Sequence, residues 1–260
     1  RDVLGSRGLG DVYKRQEDLF RELLFNMYRQ TYKNWELCLA DGSNQKLDYI
    51  EKMCKDSRIN YKYLGENKGI SGNSNEGLKM VTGDYVALLD HDDLLMPNAL
   101  YEIVKVINEK TNIRFIYTDE DKITTIDEPR FDPHFKPDFA PDYLNGNNYI
   151  CHFSVFKKEL MDKLNGFRDE YNGAQDMDII LRMTELVQPK DIYHIPKILY
   201  HWRICETSTA GNPETKLYAY ESGKKAVQDH INRLGRKGIV ERDEKMYGTV
   251  SYTHLRAHET

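Results

Sequence analysis

Apolar residues recur along this chain in two rhythms, one helical and one strand-like. From Glu17 to Arg29, Leu19, Phe20, Leu23, Leu24 and Met27 gather on one side of a helix. Trp35 to Ala40 is a short apolar run that reads as a strand, and Asp41-Gly42-Ser43-Asn44 supplies turn chemistry after it. The alternation continues with a helix from Leu47 to Cys54 and a strand from Asn60 to Leu64. A Gly- and Asn-rich loop then leads into a helix between Gly69 and Val81, and a strand follows from Tyr85 to Leu89. Pro97 suits the first turn of a helix running to Asn108. This order predicts an α/β fold, with a mostly parallel central sheet and helices on both faces. The series opens on a helix, so the first strand is expected to be missing and the chain to be truncated.

The second half is less regular. Arg114 to Thr118 reads as a strand ending in Asp119-Glu120-Asp121. A long irregular stretch from Thr124 to Asn148 follows, and its Phe131, Phe135, Phe139 and Tyr143 argue for order and a functional loop. Tyr149 to Phe156 reads as a strand, Asp176 to Glu185 as a helix, Ile192 to Tyr200 as extended, and Lys216 to Leu234 as a helix. Residues 1–16 and 250–260 resemble translated adapter sequence and are set aside as non-native extensions. The remainder divides into a domain over 17–234 and a tail over 235–249.

Composition narrows the class. With 40% hydrophobic and 30% charged residues, the 260-residue chain is ordinary for a globular protein. A net charge of −5 gives no broad reason to expect nucleic-acid binding. No apolar run is long enough to span a bilayer. The four cysteines, Cys38, Cys54, Cys151 and Cys205, form no CxxC pair and read as reduced thiols of a cytoplasmic protein.

The chemistry concentrates after the strand Tyr85-Val86-Ala87-Leu88-Leu89, which ends in Asp90-His91-Asp92-Asp93. Ligands of α/β proteins bind at the carboxyl edge of the sheet. Asp90 and Asp92 are two apart and project to one side of an extended strand end. Together they can hold a hard divalent cation and leave positions open for phosphate oxygens. The plainer reading is a solvated acidic loop. An EF-hand does not fit, because its sixth and twelfth positions would be Leu95 and Tyr101.

The ordered pieces Gln30-Thr31-Tyr32, Trp35-Glu36-Leu37, Asp41-Gly42-Ser43, Asn67-Lys68-Gly69-Ile70, Asn75-x-Gly77, Gly83-Asp84-Tyr85, Leu89-Asp90-His91-Asp92-Asp93 and Pro97 resemble the family 2 glycosyltransferases of GT-A fold. Tyr117-Thr118-Asp119-Glu120-Asp121-Lys122, Phe135-Lys136-Pro137-Asp138, Asn148-Tyr149-Ile150, Gly173-Ala174-Gln175-Asp176-Met177-Asp178 and Leu199-Tyr200-His201-Trp202-Arg203 narrow the resemblance to a bacterial surface-polysaccharide branch with rhamnosyltransferase-like members. The resemblance implies an inverting transferase of nucleotide-activated sugars. Its acceptor would be a glycan or lipid-linked hydroxyl, reached in the cytoplasm or at the inner membrane face.

It also implies roles. Asp41 would read the nucleotide base, with a turn residue as the plainer reading. Asn67 and Asn75 would lie on the donor side. Asp90 would meet ribose or metal, and Asp92 would bind the Mg²⁺ or Mn²⁺ that bridges the diphosphate. His201 would be a third metal ligand, against a packed strand histidine. Asp176 would be the general base, against a helix N-cap. Asp178 reads as an ion-pair partner of Arg182. Arg203 reads as a phosphate contact or a solvent-facing cation. Asp119 and Asp121 form a rival acidic pair. Two other classes compete: a nucleotidyltransferase, which would need a Gly-rich basic signature near the first strand, and a metal-dependent glycan-binding module, which leaves Asp41 unexplained.

Overall fold

The computed structural model describes residues 2–5, 13–204, 217–243 and 249–254. The first strand, β1 (Asp2–Gly5), precedes helix α1 (Tyr13–Tyr28). There follow β2 (Trp35–Asp41), α2 (Asp48–Met53), β3 (Ile59–Tyr63), α3 (Gly69–Leu78), β4 (Tyr85–Leu88), the short β5 (Leu94–Leu95) and α4 (Ala99–Glu109). The second half contains β6 (Phe115–Ile123), β7 (Phe131–His134), α5 (Pro141–Gly146), β8 (Ser154–Lys157), α6 (Lys158–Lys163), α7 (Gln175–Thr184) and β9 (Ile192–Arg203). Helix α8 (Leu217–Arg233) and the strands β10 (Gly238–Arg242) and β11 (Val250–His254) close the described chain.

The central sheet runs β3-β2-β1-β4-β8-β6-β9-β5, with β7 beside β6. β3, β2, β1 and β4 are parallel, as the alternating elements predict. β8 enters antiparallel between β4 and β6, and β9 then runs parallel to β6. The slot expected to be empty is filled: Leu4 stands between Leu37 and Ala87 in register. Four residues are too few to carry a periodic signal, and they lie in the segment set aside as foreign. The second segment set aside also pairs, because β11 lies antiparallel to β10.

Side-chain alternation separates two cores. Cys38, Val86, Phe115 and Tyr117 face one way, with Met177 and Ile180 of α7 and Val227 and Ile231 of α8. Leu37, Leu39, Ala87 and Ile116 face the other way, with Phe20 and Leu23 of α1 and Ile103 of α4. Helices therefore cover both faces, as expected. Among the described residues, no helix is long and apolar enough to cross a membrane.

Three local expectations are corrected. The carboxylates Asp119, Glu120 and Asp121 do not end a strand; they lie inside β6 and are buried. The stretch from Thr124 to Asn148 holds β7 and α5. The extended run expected from Tyr149 shrinks to β8, because Cys151 sits at φ 34° and breaks it. Cys38, Cys54 and Cys151 are free thiols, while Cys205 lies outside the described residues.

Candidate functional site

Strands β2, β1 and β4 are parallel, so Asp41, which ends β2, and Asp90, just beyond β4, share the carboxyl edge of the sheet. With β1 between them, their strands stand roughly 10 Å apart. Asp41 is buried, and three donors orient its carboxylate. Ser43 N–H and Oγ approach Oδ1 at 2.9 and 2.5 Å, and the Tyr61 hydroxyl donates to Oδ2 at 2.8 Å. Burial, and then Asp41, push the Tyr61 phenol up, which keeps it a donor. The turn reading and a ligand-facing role coexist here, since an ionised carboxylate has about four acceptor sites.

The two asparagines differ from expectation in what they touch. Asn67 Oδ1 accepts from Gly69 N–H at 2.9 Å and from Asn73 Nδ2 at 3.0 Å, shaping the entry to α3. Asn73 in turn lies against Gly42, where an added Cβ would fall 2.6 Å from its Nδ2. Asn75 clamps the Phe167 backbone: its Nδ2 donates to the carbonyl and its Oδ1 accepts the N–H, each at 2.8 Å. Both ends of that amide are occupied, so the structure gives Asn75 a bracing role.

Asp90 and Asp176, far apart in sequence, border one cleft together with Ser74, Cys151, His152 and Gln175. Asp176 is the second residue of α7, and the N-cap is Ala174, so the capping alternative does not hold. The Asp176 carboxylate instead accepts from Asn148 Nδ2 at 3.3 Å and the Cys151 thiol at 3.9 Å. Asp178 is buried between Arg182, at 2.8 Å, and Arg168, at 2.5 Å, so the expected ion pair is present and gains a second arginine.

The loop between β4 and β5 is held from β9. The Tyr200 hydroxyl donates to Asp93 Oδ2, while Asp90 N–H donates to the same hydroxyl at 3.3 Å. Arg203 N–H donates to Asp93 Oδ1 at 2.7 Å, and Arg203 Nε donates to the Asp92 carbonyl at 2.6 Å. The remaining Arg203 nitrogens donate to Thr124 O and Glu22 Oε2. Arg203 is thus a buried brace, neither a phosphate contact nor a solvent-facing cation. Burial, and then the Asp92 and Asp90 charges, push the Asp93 carboxyl well above the usual range.

The expected metal set of Asp90, Asp92 and His201 is not assembled. Among the described residues, Asp90, Asp93 and His152 form the one trio whose ligand atoms lie within 4.8 Å of one another. His201 faces elsewhere because β9 pairs it in register with Asp121. Its Nδ1 is 2.5 Å from Asp121 Oδ1, and its Nε2 is 3.4 Å from an Arg130 nitrogen. Strand alternation sends Tyr200 and Trp202 to the other face, where both rings contact His152. Asp92 sits at the same loop with its side chain 27% exposed. The rival pair is engaged internally: Asp119 accepts from Lys136 N–H at 2.9 Å and meets His194 Nε2 at 2.8 Å. Sequence reasoning missed His152. The sequence carried no specific signal for it, since ionisable residues also stand among apolar ones at Glu36, Asp178, His194 and His201.

Comparison with known proteins adds to this geometry. A family model described as Glycosyl transferase family 2 matches residues 11–164, more than half of the chain. The O-antigen biosynthesis protein RfbC of Myxococcus xanthus is 30% identical over 233 residues, which is 88% of this chain and 18% of that protein. The chain spans a quarter or less of the length of the first two curated relatives it matches. Among solved structures, S. aureus TarS in complex with UDP-GlcNAc superposes with a TM-score of 0.66 at 16% identity, covering 88% of this chain and 65% of the other. The mannosyltransferase PcManGT from Pyrobaculum calidifontis, in complex with GDP-Man and Mn²⁺, gives 0.59 at 16% identity, covering 91% and 64%. These superpositions establish the GT-A fold.

Proposed function

Because the chain belongs to glycosyl transferase family 2, we propose that it is the catalytic domain of an inverting, metal-dependent glycosyltransferase of bacterial surface-polysaccharide assembly. It moves a sugar from a nucleoside diphosphate donor to a hydroxyl of a glycan or lipid-linked acceptor. The observation that carries this reading is the single cleft bordered by Asp90 and Asp176 at the carboxyl edge of the sheet. The UDP-GlcNAc and GDP-Man complexes of the two structural neighbours support a nucleotide-sugar donor.

The donor lies along the sheet edge, its base toward Asp41 and its diphosphate toward the loop from Asp90 to Asp93. Hard carboxylate oxygens with one imidazole beside them suit Mg²⁺ or Mn²⁺. The Asp90–Asp93 loop would hold such a cation, which would supply positive charge against the departing diphosphate. Asp176 accepts the proton of the attacking hydroxyl as the bond to the anomeric carbon forms, which is the one base a single displacement needs. The bonds from Asn148 and Cys151 hold its carboxylate toward the cleft. Asp176 also borders a second hollow, with Met177, Tyr220, Lys224 and Arg242. Acceptor entering there would reach the base, Asp176. The protein works in the cytoplasm, at the membrane face where lipid-linked acceptors lie.

The test is Asp176→Asn, read by release of nucleoside diphosphate from a panel of nucleotide sugars in the presence of bacterial glycan acceptors. Turnover should fall about 10²- to 10⁴-fold while nucleotide binding persists. Unchanged turnover would remove Asp176 from the role of base.

A further inference from the structure

Helix α8 packs across the start of α7, and small residues let it come close. Gly173 stands at φ 94°, where an added Cβ would fall 2.7 Å from the Tyr218 ring and 2.9 Å from Ala219 Cβ. Farther along the same crossing, a Cβ at Gly223 would stand 3.8 Å from both Ala174 Cβ and Met177 Sδ. The hollow beside Asp176 lies between these helices and β10, with a volume of about 140 Å³. A cavity of roughly 150 Å³ admits one six-membered ring.

The fold brings two cations to this hollow. Lys224 and Gln228 are four apart and share one face of α8. The Gln228 side chain grips β10, donating to the Gly238 carbonyl at 3.2 Å and accepting the Val240 N–H at 3.0 Å. Val240 is buried in the same core as Val227 and Ile231 of α8, and Arg242, two residues on, leaves β10 on that same side. Lys224 and Arg242 both line the hollow, and among the described residues of its wall the one carboxylate is Asp176. Outside the wall, Glu221 meets Arg242 Nη1 at 3.4 Å, with both side chains exposed. A guanidinium has five donors in a planar fork, so this pair leaves it able to hold a further oxyanion.

Charge separates one class of acceptor from another. A carboxylate base is itself anionic, so an acceptor with its own oxyanion is repelled at Asp176. Lys224 and Arg242 offset that repulsion and hold the oxyanion through charge-assisted bonds. A neutral sugar makes no use of either charge. Ala174, Met177 and Ala219 give the carbon face of a sugar ring an apolar wall. We propose that this hollow takes a sugar residue bearing an oxyanion, a carboxylate or a phosphate, and that Lys224 and Arg242 select such acceptors over neutral ones. The place of this sugar in the reaction rests on the reading of Asp176 as the base, while its binding does not.

The experiment is a saturation-transfer NMR titration of the whole chain with methyl glucuronide, glucose 6-phosphate, methyl glucoside and inorganic phosphate. The variants are Lys224→Ala, Arg242→Ala, the two combined, and Lys225→Ala, each checked by circular dichroism for the parent fold. Lys225 is the control, because it is next in sequence but lies over the Tyr171 ring, 4.8 Å from its centroid. At least one anionic sugar should bind about tenfold tighter than methyl glucoside, and which one does separates carboxylate from phosphate. Each single variant at Lys224 or Arg242 should lower that preference, the combined variant should abolish it, and Lys225→Ala should keep it. Equal binding of methyl glucoside, a preference that survives in the combined variant or is lost in Lys225→Ala, inorganic phosphate binding as tightly as the sugars, or no binding by the parent would each overturn the proposal. Release of nucleoside diphosphate from nucleotide sugars is followed with the same acceptors. An anionic preference in binding without any release would leave this site standing and remove the transferase reading, whereas release to methyl glucoside alone would do the reverse.

Discussion

Two acidic clusters lie in the same sheet, and their surroundings set them apart. The trio inside β6 meets cations and imidazoles: Asp119 has His194, Glu120 has Lys136, and Asp121 has His201 with Arg130 beyond it. The trio after β4 is held at Asp93 by neutral donors, the Tyr200 hydroxyl and the Arg203 N–H. The titration of the two clusters follows. Burial raises Glu120, but Lys136 and His134 outweigh it and bring the group down to about 2. Asp93 moves up, since burial and its carboxylate neighbours act together. Burial, and then the Asp93 and Asp90 charges, also push the Tyr200 phenol well up, so it remains a donor. One cluster is neutralised by the fold. The other gathers Asp90, Asp92 and Asp93 in the loop at the sheet edge, where the proposed cation and diphosphate would bind.

The largest effect that would break this comparison is expected at Glu120. Lys136 has a fully buried side chain whose ionic partner is Glu120. Glu120→Gln strands that charge and should cost about 3–5 kcal/mol at neutral pH, measured by urea unfolding. The pH dependence has a defined sign. The folded pKa lies below the ordinary 4.5, so this carboxylate stabilises the fold above that range and its contribution is lost as pH falls toward about 2. The variant should therefore have a flatter acid limb than the parent. A cost below about 1 kcal/mol would mean that the β6 cluster is not held by its counter-charges.

A smaller effect sharpens the other half. Tyr200→Phe removes the hydroxyl that donates to Asp93 and accepts from Asp90 N–H. The loss should be about 1–3 kcal/mol, the range for leaving a buried polar group unpaired. Equal stability of Tyr200→Phe and parent would show that the loop is not organised from β9.

Much of this was legible from residues. The run from Tyr85 to Leu89 followed by Asp90 reads as a buried strand ending at a ligand edge, and β4 with its loop is where that pattern put it. Asp178 with Arg182 is local, one turn apart on α7, and local pairs are visible in sequence. His201 was not legible, because its direction depends on the register of β9 against β6, set by strands far away in the chain. The burial of Asp119, Glu120 and Asp121 was hidden for the same reason: Lys136 and His194, which make it tolerable, come from other elements. His152 carries no motif by itself, and only folding places it beside Asp90 and Asp93. β1 was too short to show a rhythm.

The most direct test of the central claim is the melting temperature with Mn²⁺ plus UDP, dTDP or GDP, set against metal alone, nucleotide alone and Asp90→Ala. A nucleotide at about a hundred times its dissociation constant should add roughly 2.7 kcal/mol of stability. A metal-dependent rise is expected for one nucleotide and abolished in Asp90→Ala, and it would also identify the base of the donor. A folded chain whose melting temperature responds to no nucleotide with Mn²⁺, or whose response survives in Asp90→Ala, would contradict it.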